Sequence, residues 1–486
     1  MDSSNRSRHQ NIVLAVVVVG VLMSAIDISI VILALPTIDA GLHAGTATSI
    51  WIIMAYLLVI TVLSTQIGKL GDKYGKERMF TYGLIVFTIG SALCGLALNI
   101  NILIGSRVLQ AVGGALVGAT GTAVVSDYFE PHKRGRAFGF TAMGYNVGAV
   151  LGIFLGGLLS VINWRLIFLI NLPIGAIVIY LALKYLKDIS EHKNEHFDLT
   201  GSVLFGATLT FLSVFAVVFT YSGLSTMNLI ILAVALISLV AFMLTERKKK
   251  SPIIDYSIFK NRVLTFSMLS SLLQFTASFA VLFLLIIYMQ GVKGVNPFAS
   301  SLYLLPGYVI GAFLSPFTGR LSDKIDIRIP TTIGLGLIFF SYLLYITFLT
   351  ASSPLYYVAI ITLFSGMGSS MFYPSNVNAI MGNAPKEKYG VVSGINRTLN
   401  NIGMTLSFVV VLTVVSLSIP SSTAIAIFLG SKIGGLSSSL TTPFVHGMHI
   451  AFFSSAFLIG VAIFVSLFRG KANKTEPDIK RANPID

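Results

Sequence analysis

The chain has 486 residues, of which 55% are hydrophobic and 11% are charged, and its formal net charge is +14. No soluble globular core needs so much apolar surface, so this composition excludes a soluble protein and predicts an all-α polytopic membrane protein. Of the 33 Lys and Arg residues, 28 fall in the terminal segments or in alternate connections between apolar runs. The positive charge therefore predicts membrane orientation, with both termini cytoplasmic, and no nucleic-acid partner.

Apolar runs of about twenty residues follow one another along the chain, each long enough to cross a hydrocarbon layer roughly 30 Å thick. The first follows a short basic stretch but is too long for a signal-peptide core, so it is predicted to remain as helix 1. Fourteen helices are predicted near residues 12–35, 50–67, 79–98, 102–126, 137–160, 165–186, 199–220, 227–245, 263–288, 297–318, 329–349, 355–381, 389–417 and 446–468.

Helix 1 carries Asp27, the one acidic residue predicted in the middle of a span. An ionised carboxylate at that depth is costly, so it must face a cavity, find a partner or hold a proton. Arg107 in helix 4 is predicted at a comparable depth, and Gln110 shares its helix face. We predict that Asp27 and Arg107 couple protons to transport. The alternative is a permanent ion pair that only locks helix 1 to helix 4.

The connection after helix 2, Gly68 to Arg78, combines glycines, basic residues and one carboxylate, Asp72. If helix 13, which begins near Tyr389, lies beside it, Asp72 would bind the positive end of that helix dipole. A weaker copy of the loop, Gly319 to Arg328, recurs 251 residues later. The predicted cytoplasmic gate consists of Gly68, Asp72, Gly75, Arg78 and Asp323, and the first copy, which keeps its glycines, is predicted to be the stronger. The alternative is that the basic residues merely mark the cytoplasmic side.

The two loops follow helices 2 and 10, so a duplicated six-helix unit is interrupted by two added helices, most simply helices 7 and 8. The predicted architecture is six plus two plus six. Residues 418–445 form an outer connection, in which the stretch 424–429 is either a hairpin strand or a re-entrant segment. The predicted units are an N-terminal bundle (1–190), a two-helix insertion with charged flanks (191–260), a C-terminal bundle (261–470) and a cytoplasmic tail (471–486).

Small and polar residues inside other helices add two predictions. A glycine at every fourth position of helix 5 predicts a ridge for close helix packing, formed by Gly144, Gly148, Gly152 and Gly156. Arg397 in helix 13 is predicted to face the interior, where it binds either an anionic group or a helix end. A substrate cavity is predicted from Gln110, Asn146, Gln274, Arg397 and Asn400 among aromatic and Met side chains.

Signals for enzymatic chemistry and for metal binding are missing from the sequence. The single cysteine, Cys94, is predicted to be an apolar filler, and the seven histidines show no metal-ligand spacing. P-loop, Gly-x-Ser-x-Gly and His-Glu-x-x-His patterns do not occur. We therefore predict neither an enzyme nor an ATP-driven pump, with no cofactor and no metal.

Several segments together resemble the major facilitator superfamily, specifically its fourteen-helix branch of drug:proton antiporters, over nearly the whole chain. The sequence departs from the usual pattern at Ile32 (Asn in the branch), Ala149 (Pro) and Asp326 (Gly). The segments that carry the resemblance are Ile26 to Pro36, Gly68 to Arg78, Arg107 to Gly114, Gly144 to Gly157, Asn163 to Gly175 and Gly319 to Arg328.

The resemblance implies the major facilitator fold in a monomer of the plasma membrane, with the lipid bilayer, protons and a small-molecule substrate as partners. It implies export of small amphipathic, drug-like compounds, often cationic ones, in exchange for protons by alternating access. The proton gradient would be the energy source. Two alternatives are transport of a nutrient or lipid-like solute through the same fold, and a transport-inactive receptor or scaffold.

Overall fold

A computed structural model describes residues 3–43, 46–49, 51–187, 198–222, 225–247, 249, 256–419 and 438–470. Long α-helices make up most of these residues, and the described ranges contain no strand. The long helices are α1 Ser3–Leu42, α2 Trp51–Tyr74, α3 Lys76–Gly95, α4 Ile100–Tyr128, α5 Pro131–Ile162, α6 Asn171–Tyr185, α7 Leu199–Ser222, α8 Thr226–Glu246, α9 Arg262–Ile287, α10 Pro297–Lys324, α11 Arg328–Phe348, α12 Tyr356–Gly382, α13 Tyr389–Ser416 and α14 Ser438–Phe468.

Shorter turns join some of these helices. They are the α-helical turns Thr46–Ser49 and Leu166–Leu169, the 3-10 turns Tyr256–Lys260 and Lys386–Lys388, and the π-turn Tyr288–Val292.

Twelve helices of the described part are long and apolar enough to cross a membrane. Of the other two long helices, α7 has a shorter apolar stretch, Leu199–Phe215, and α12 is diluted by glycine, serine and asparagine. The prediction of an all-α polytopic membrane protein with fourteen helices is confirmed. The ends differ from the prediction at α1, which continues to Leu42, and at α14, which begins at Ser438. The stretch 424–429 and the tail 471–486 lie outside the described residues.

We call α1–α6 the N-terminal bundle and α9–α14 the C-terminal bundle. One hydrophobic core lies within the first, around Trp164, and another within the second, around Tyr342. A third runs through both, from Phe87 in α3 to Val377 and Ile395 in α12 and α13. Since buried apolar side chains are continuous across the two bundles, these pack into one body.

Helices α7 and α8, the predicted insertion, lie on the outside of this body. The side chain of Gln66 in α2 donates a hydrogen bond to the carbonyl of Ser202 in α7 at 3.3 Å, and Gly206 packs against Val62. The opposite side of the pair is apolar and exposed, for example at Leu236 and Ile237 of α8. In a membrane this surface faces lipid.

One end of the body carries the α2–α3 and α10–α11 connections together with the N-termini of α1, α5 and α13. Because these segments hold many of the Lys and Arg residues of the chain, we call this end the basic face. Helix α4 runs from the opposite face, where Asn99 caps its first turn, to the basic face, where Tyr128 accepts a hydrogen bond from Gln10 of α1.

Candidate functional site

An ion pair lies inside the N-terminal bundle, between α1 and α4. Arg107 Nη1 is 2.7 Å from Asp27 Oδ2, and the two side chains are 1% and 0% exposed. The predicted contact between these helices is therefore present. Because water reaches neither group, each charge is stabilised by the other and by hydrogen bonds from its protein surroundings.

Gln110 completes the hydrogen bonds of this pair. Its Nε2 donates to Asp27 Oδ1 at 2.8 Å, while its Oε1 accepts from Arg107 Nη1 at 2.6 Å. Arg107 Nε donates to the carbonyl of Ile52 in α2 at 3.1 Å. Both carboxylate oxygens of Asp27 are thus occupied, and a proton can replace Arg107 there only if the pair opens.

Three further residues of this network were missed by sequence reasoning. Ser91 Oγ lies 3.2 Å from Gln110 Nε2 and accepts from Asn171 Nδ2 at 3.0 Å. The ring of Tyr56 faces the Arg107 guanidinium at 4.2 Å, a distance at which a cation and an aromatic ring attract each other. Asn171 belongs to a segment that carried the family resemblance, whereas a lone Ser or Tyr in an apolar helix gives no signal.

Asp72 lies at the N-terminus of α13, where the sequence placed it. Its Oδ1 accepts from the backbone N–H of Gly390 and its Oδ2 from that of Val391, both at 2.8 Å. We call these three residues the first clamp. Lys76 supports it, since its Nζ is 3.6 Å from Asp72 and 2.7 Å from Asp127.

Asp323 makes the matching contact with the other bundle. It accepts from the backbone N–H of Gly135 at 2.8 Å and from that of Arg136 at 3.0 Å, the fifth and sixth residues of α5. We call these three residues the second clamp. Asn378 Nδ2 donates to Asp323 at 3.2 Å. The sequence predicted Asp323 as a gate residue but did not identify its partner. The tertiary structure shows that the partner is α5.

Each clamp stands beside a crossing of two glycines. A methyl group on Gly68 would overlap the carbonyl of Gly390, and one on Gly319 would overlap the carbonyl of Gly135. The backbones can approach so closely because both partners lack a Cβ atom. The signal that sequence reasoning missed is a glycine pair spaced by four residues near the start of each partner helix.

The remaining predicted gate residues lie in the turn that follows the first clamp. Gly75 alone separates α2 from α3, with φ of 101°, a conformation that residues with a side chain rarely adopt. Arg78 is exposed in the first turn of α3.

The glycine ridge of α5 packs against α1. Methyl groups on Gly148 and Gly152 would lie 2.6 and 2.7 Å from the carbonyl oxygens of Leu22 and Ile26. Gly144 and Gly156 make the same kind of approach one turn to either side. Helix α5, which contributes Gly135 and Arg136 to the second clamp, therefore also contacts the segment of α1 that carries Asp27.

No hydrogen bond joins any two of the five residues of the predicted cavity in the part of the chain that the structure describes. Gln110 belongs to the ion-pair network, and Asn146 bonds to its own helix at 3.1 Å. Gln274 donates to Ser278 at 3.3 Å, and Asn400 accepts from Ser271 at 2.8 Å within the C-terminal bundle. Two of the five reach the other bundle: Arg397 lies beside Gly118 of α4, and Asn146 lies beside Gly311 of α10.

Comparison with known proteins gives consistent matches. Residues 17–408 match the model of the Major Facilitator Superfamily. The riboflavin transporter RibZ of Clostridioides difficile (strain 630) is 34% identical over 397 residues, which cover 81% of this chain and 86% of that protein. The multidrug resistance protein Stp of Mycobacterium tuberculosis (strain CDC 1551 / Oshkosh) is 31% identical over 83% of this chain and 75% of its own length.

Among solved structures, the proton:xylose symporter XylE is similar with a TM-score of 0.65 at 11% identity. The match covers 96% of this chain and 97% of that one. At this identity the likeness shows a common fold.

Proposed function

Because this chain belongs to the Major Facilitator Superfamily, we propose that it exports small amphipathic compounds across the plasma membrane in exchange for protons. It is a multi-pass membrane transporter and not an enzyme. The observation that carries the proposal is the buried ion pair of Asp27 and Arg107, whose remaining carboxylate oxygen accepts a hydrogen bond from Gln110. The name of the relative Stp, a multidrug resistance protein, supports the direction of transport.

Protonation of the buried ion pair would strongly change the interaction between α1 and α4. Protonation of Asp27 removes its charge and leaves the Arg107 guanidinium uncompensated in a medium that penalises lone charges. Loss of this attraction weakens the link between α1 and α4, and the glycine ridge transmits a shift of α1 to α5. A proton that enters down a potential of 100 mV releases about 2.3 kcal/mol, which supports roughly fifty-fold accumulation of an uncharged substrate.

The clamps provide the gate in this proposal. Both tie one bundle to the other on the basic face, which the positive-inside rule assigns to the cytoplasm. In this conformation the protein is therefore closed toward the cytoplasm. Opening requires Asp72 and Asp323 to leave the backbone N–H groups of α13 and α5 that they bind.

The proposal is tested in everted membrane vesicles with a preformed pH gradient, to which fluorescein, a rhodamine methyl ester or riboflavin is added. A transported compound should dissipate the gradient, and Asp27→Asn should abolish that response because its side chain cannot take up the proton. Glu130→Gln, which neutralises a carboxylate 42% exposed at the membrane surface, should leave it intact. If the Asp27→Asn variant dissipates the gradient normally, the coupling role of Asp27 is wrong.

A second candidate is transport of a nutrient-like aromatic solute. It is favoured by the relative that is 34% identical and is named a riboflavin transporter. The riboflavin arm of the same experiment separates the two candidates. A response to riboflavin without a response to either dye would favour the second.

A further inference from the structure

Arg397 carries a charge that no described residue compensates. It lies in α13, about 12 Å from the first residue of that helix, and it is half-buried. Its Nε atom is buried without a hydrogen-bond partner in the described ranges. An arginine does not release its proton in a protein, so the positive charge persists at this depth. A second group must compensate it during the transport cycle.

The guanidinium lies where the two bundles face each other. A methyl group on Gly118 of α4 would stand 3.0 Å from its Nε and 3.4 Å from its Cζ. Tyr56 of α2, Tyr145 of α5 and Tyr373 of α12 lie within electrostatic range of it. The charge therefore lies against α4, and one tyrosine from each of α2, α5 and α12 lies close enough to interact with it electrostatically.

Two unpartnered polar groups belong to the same surroundings. The hydroxyl of Tyr56 and the amide Nδ2 of Asn401 are buried without a hydrogen-bond partner among the described residues. Asn401 follows Arg397 by one helical turn, so the two share a face of α13. An unpartnered buried donor is destabilising, and a ligand with acceptor atoms would satisfy it.

Asp27 does not neutralise this charge, because Arg107 and Gln110 already occupy both of its carboxylate oxygens. The field between the bundles is therefore positive. A cationic ligand would be repelled there, whereas a carboxylate, sulfonate or phosphate group would be attracted.

We propose that Arg397, Asn401 and the three tyrosines recognise an anionic aromatic compound, whose acidic group binds the guanidinium and whose ring system packs on the tyrosines. This inference rests on the proposed transport function and names its substrate class. It replaces the lipophilic cations that the family resemblance implied. Arginine suits the role because its planar fork binds an anionic group through two parallel hydrogen bonds.

The inference is tested by binding to the purified full-length chain in lipid nanodiscs at neutral pH, followed by fluorescence anisotropy. Fluorescein and a rhodamine methyl ester serve as probes, since they share a tricyclic ring and carry opposite charges. Fluorescein should bind more tightly, and Arg397→Gln should weaken its binding at least about tenfold, a typical effect of losing a charge-assisted bond. The rhodamine ester should bind the variant as well as, or better than, the unmodified protein.

Two further variants distinguish the effect of the positive charge of residue 397 from the effect of the position of its side chain. Arg397→Lys keeps the charge and should recover part of the affinity. Gly118→Ala keeps Arg397 but crowds its Nε, and it should also weaken fluorescein binding. The matched control is Arg262→Gln, which removes an exposed arginine at the start of α9 and should change nothing.

Absence of fluorescein binding, or an equal loss for both dyes in Arg397→Gln, would overturn the inference. Binding in nanodiscs needs no proton gradient, so this outcome leaves proton exchange standing. Conversely, anion binding combined with transport that never dissipates the pH gradient would retain the site and reject proton exchange.

Discussion

In each clamp a carboxylate accepts two backbone N–H groups from a helix of the other bundle, but the two clamps differ in where these groups lie and in what surrounds the carboxylate. Asp72 binds the second and third residues of α13, and Asp323 binds the fifth and sixth residues of α5. Asp72 and Asp323 are 251 residues apart, and the same offset relates Asp127 to Asn378. In the first clamp Lys76 bridges Asp72 and Asp127. In the second clamp Ile327 occupies the position of Lys76, and Asn378 provides a neutral hydrogen bond. The two loops share the backbone contact and differ in the charges around it.

The turns that follow the clamps differ in a second way. Gly75 turns the chain with φ of 101°, whereas Asp326, at the equivalent position, binds the backbone N–H of Arg328 at 3.0 Å and its guanidinium at 2.7 Å. The lost glycine is thus replaced by a capped helix start. The hydrogen bonds of the two clamps have nearly equal lengths, and the greater strength of the first clamp stays a prediction.

The largest effect is expected at the glycine crossings. Gly68→Val and Gly319→Val should each reduce transport more than about tenfold, because a side chain there overlaps the partner backbone. Gly336→Val is the matched control, since a Cβ atom on Gly336 would meet nothing within 4 Å. Initial transport rates in vesicles, at equal protein content, measure the effect. A tolerated valine at either crossing would show that the bundles do not close there.

Neutralising the carboxylates should distinguish the two clamps. Each substitution weakens charge-assisted hydrogen bonds, but only Asp72→Asn also loses the attraction of a lysine, Lys76. We expect about a tenfold rise in the open population for Asp72→Asn and a smaller one for Asp323→Asn. For the first clamp, the distance between spin labels on the exposed residues Tyr74 and Lys386 measures that population.

For the second clamp, the distance between spin labels on the exposed residues Arg320 and Lys133 measures the open population. Equal opening at both clamps would mean that Lys76 adds nothing to the first.

A smaller effect is expected when the charges of the first clamp are transferred to the second. The double variant Ile327→Lys with Asn378→Asp should lower the open population of the second clamp by a few fold, since the new lysine would bridge two carboxylates. Each single variant is its own control, because only the pair rebuilds the bridge. If the double variant opens more readily than either single variant, the two surroundings are not interchangeable.

The smallest effect is expected at the second turn. Asp326→Gly restores the glycine of the first copy and removes a partly exposed ion pair with Arg328. Such pairs contribute about 0–1 kcal/mol, so transport should change less than about fivefold and the melting temperature by only a few degrees. A collapse of transport would show that the capped turn is essential to the second clamp.

The sequence by itself determined the class of fold, the number and order of the helices and two of the important contacts. Apolar runs of membrane length are a local property, so they identify helices without knowledge of the packing. Asp27 and Arg107 were predictable as partners because an isolated charge in a membrane requires one. Asp72 was predictable at α13 because a carboxylate in a tight loop favours a helix N-terminus.

Only the tertiary structure decided the partner of Asp323, the hydrogen-bond partners of the predicted cavity residues and the lack of an ion-pair partner for Arg397 among the described residues. The physical reason is that these helices are apolar on all sides, since lipid and protein interior are equally apolar. Hydrophobic periodicity therefore does not show which face of a helix meets which neighbour. Those contacts depend on how the side chains of one bundle fit against those of the other. They also depend on glycines such as Gly135 and Gly390, which can be recognised as packing positions only once the partner backbone is known.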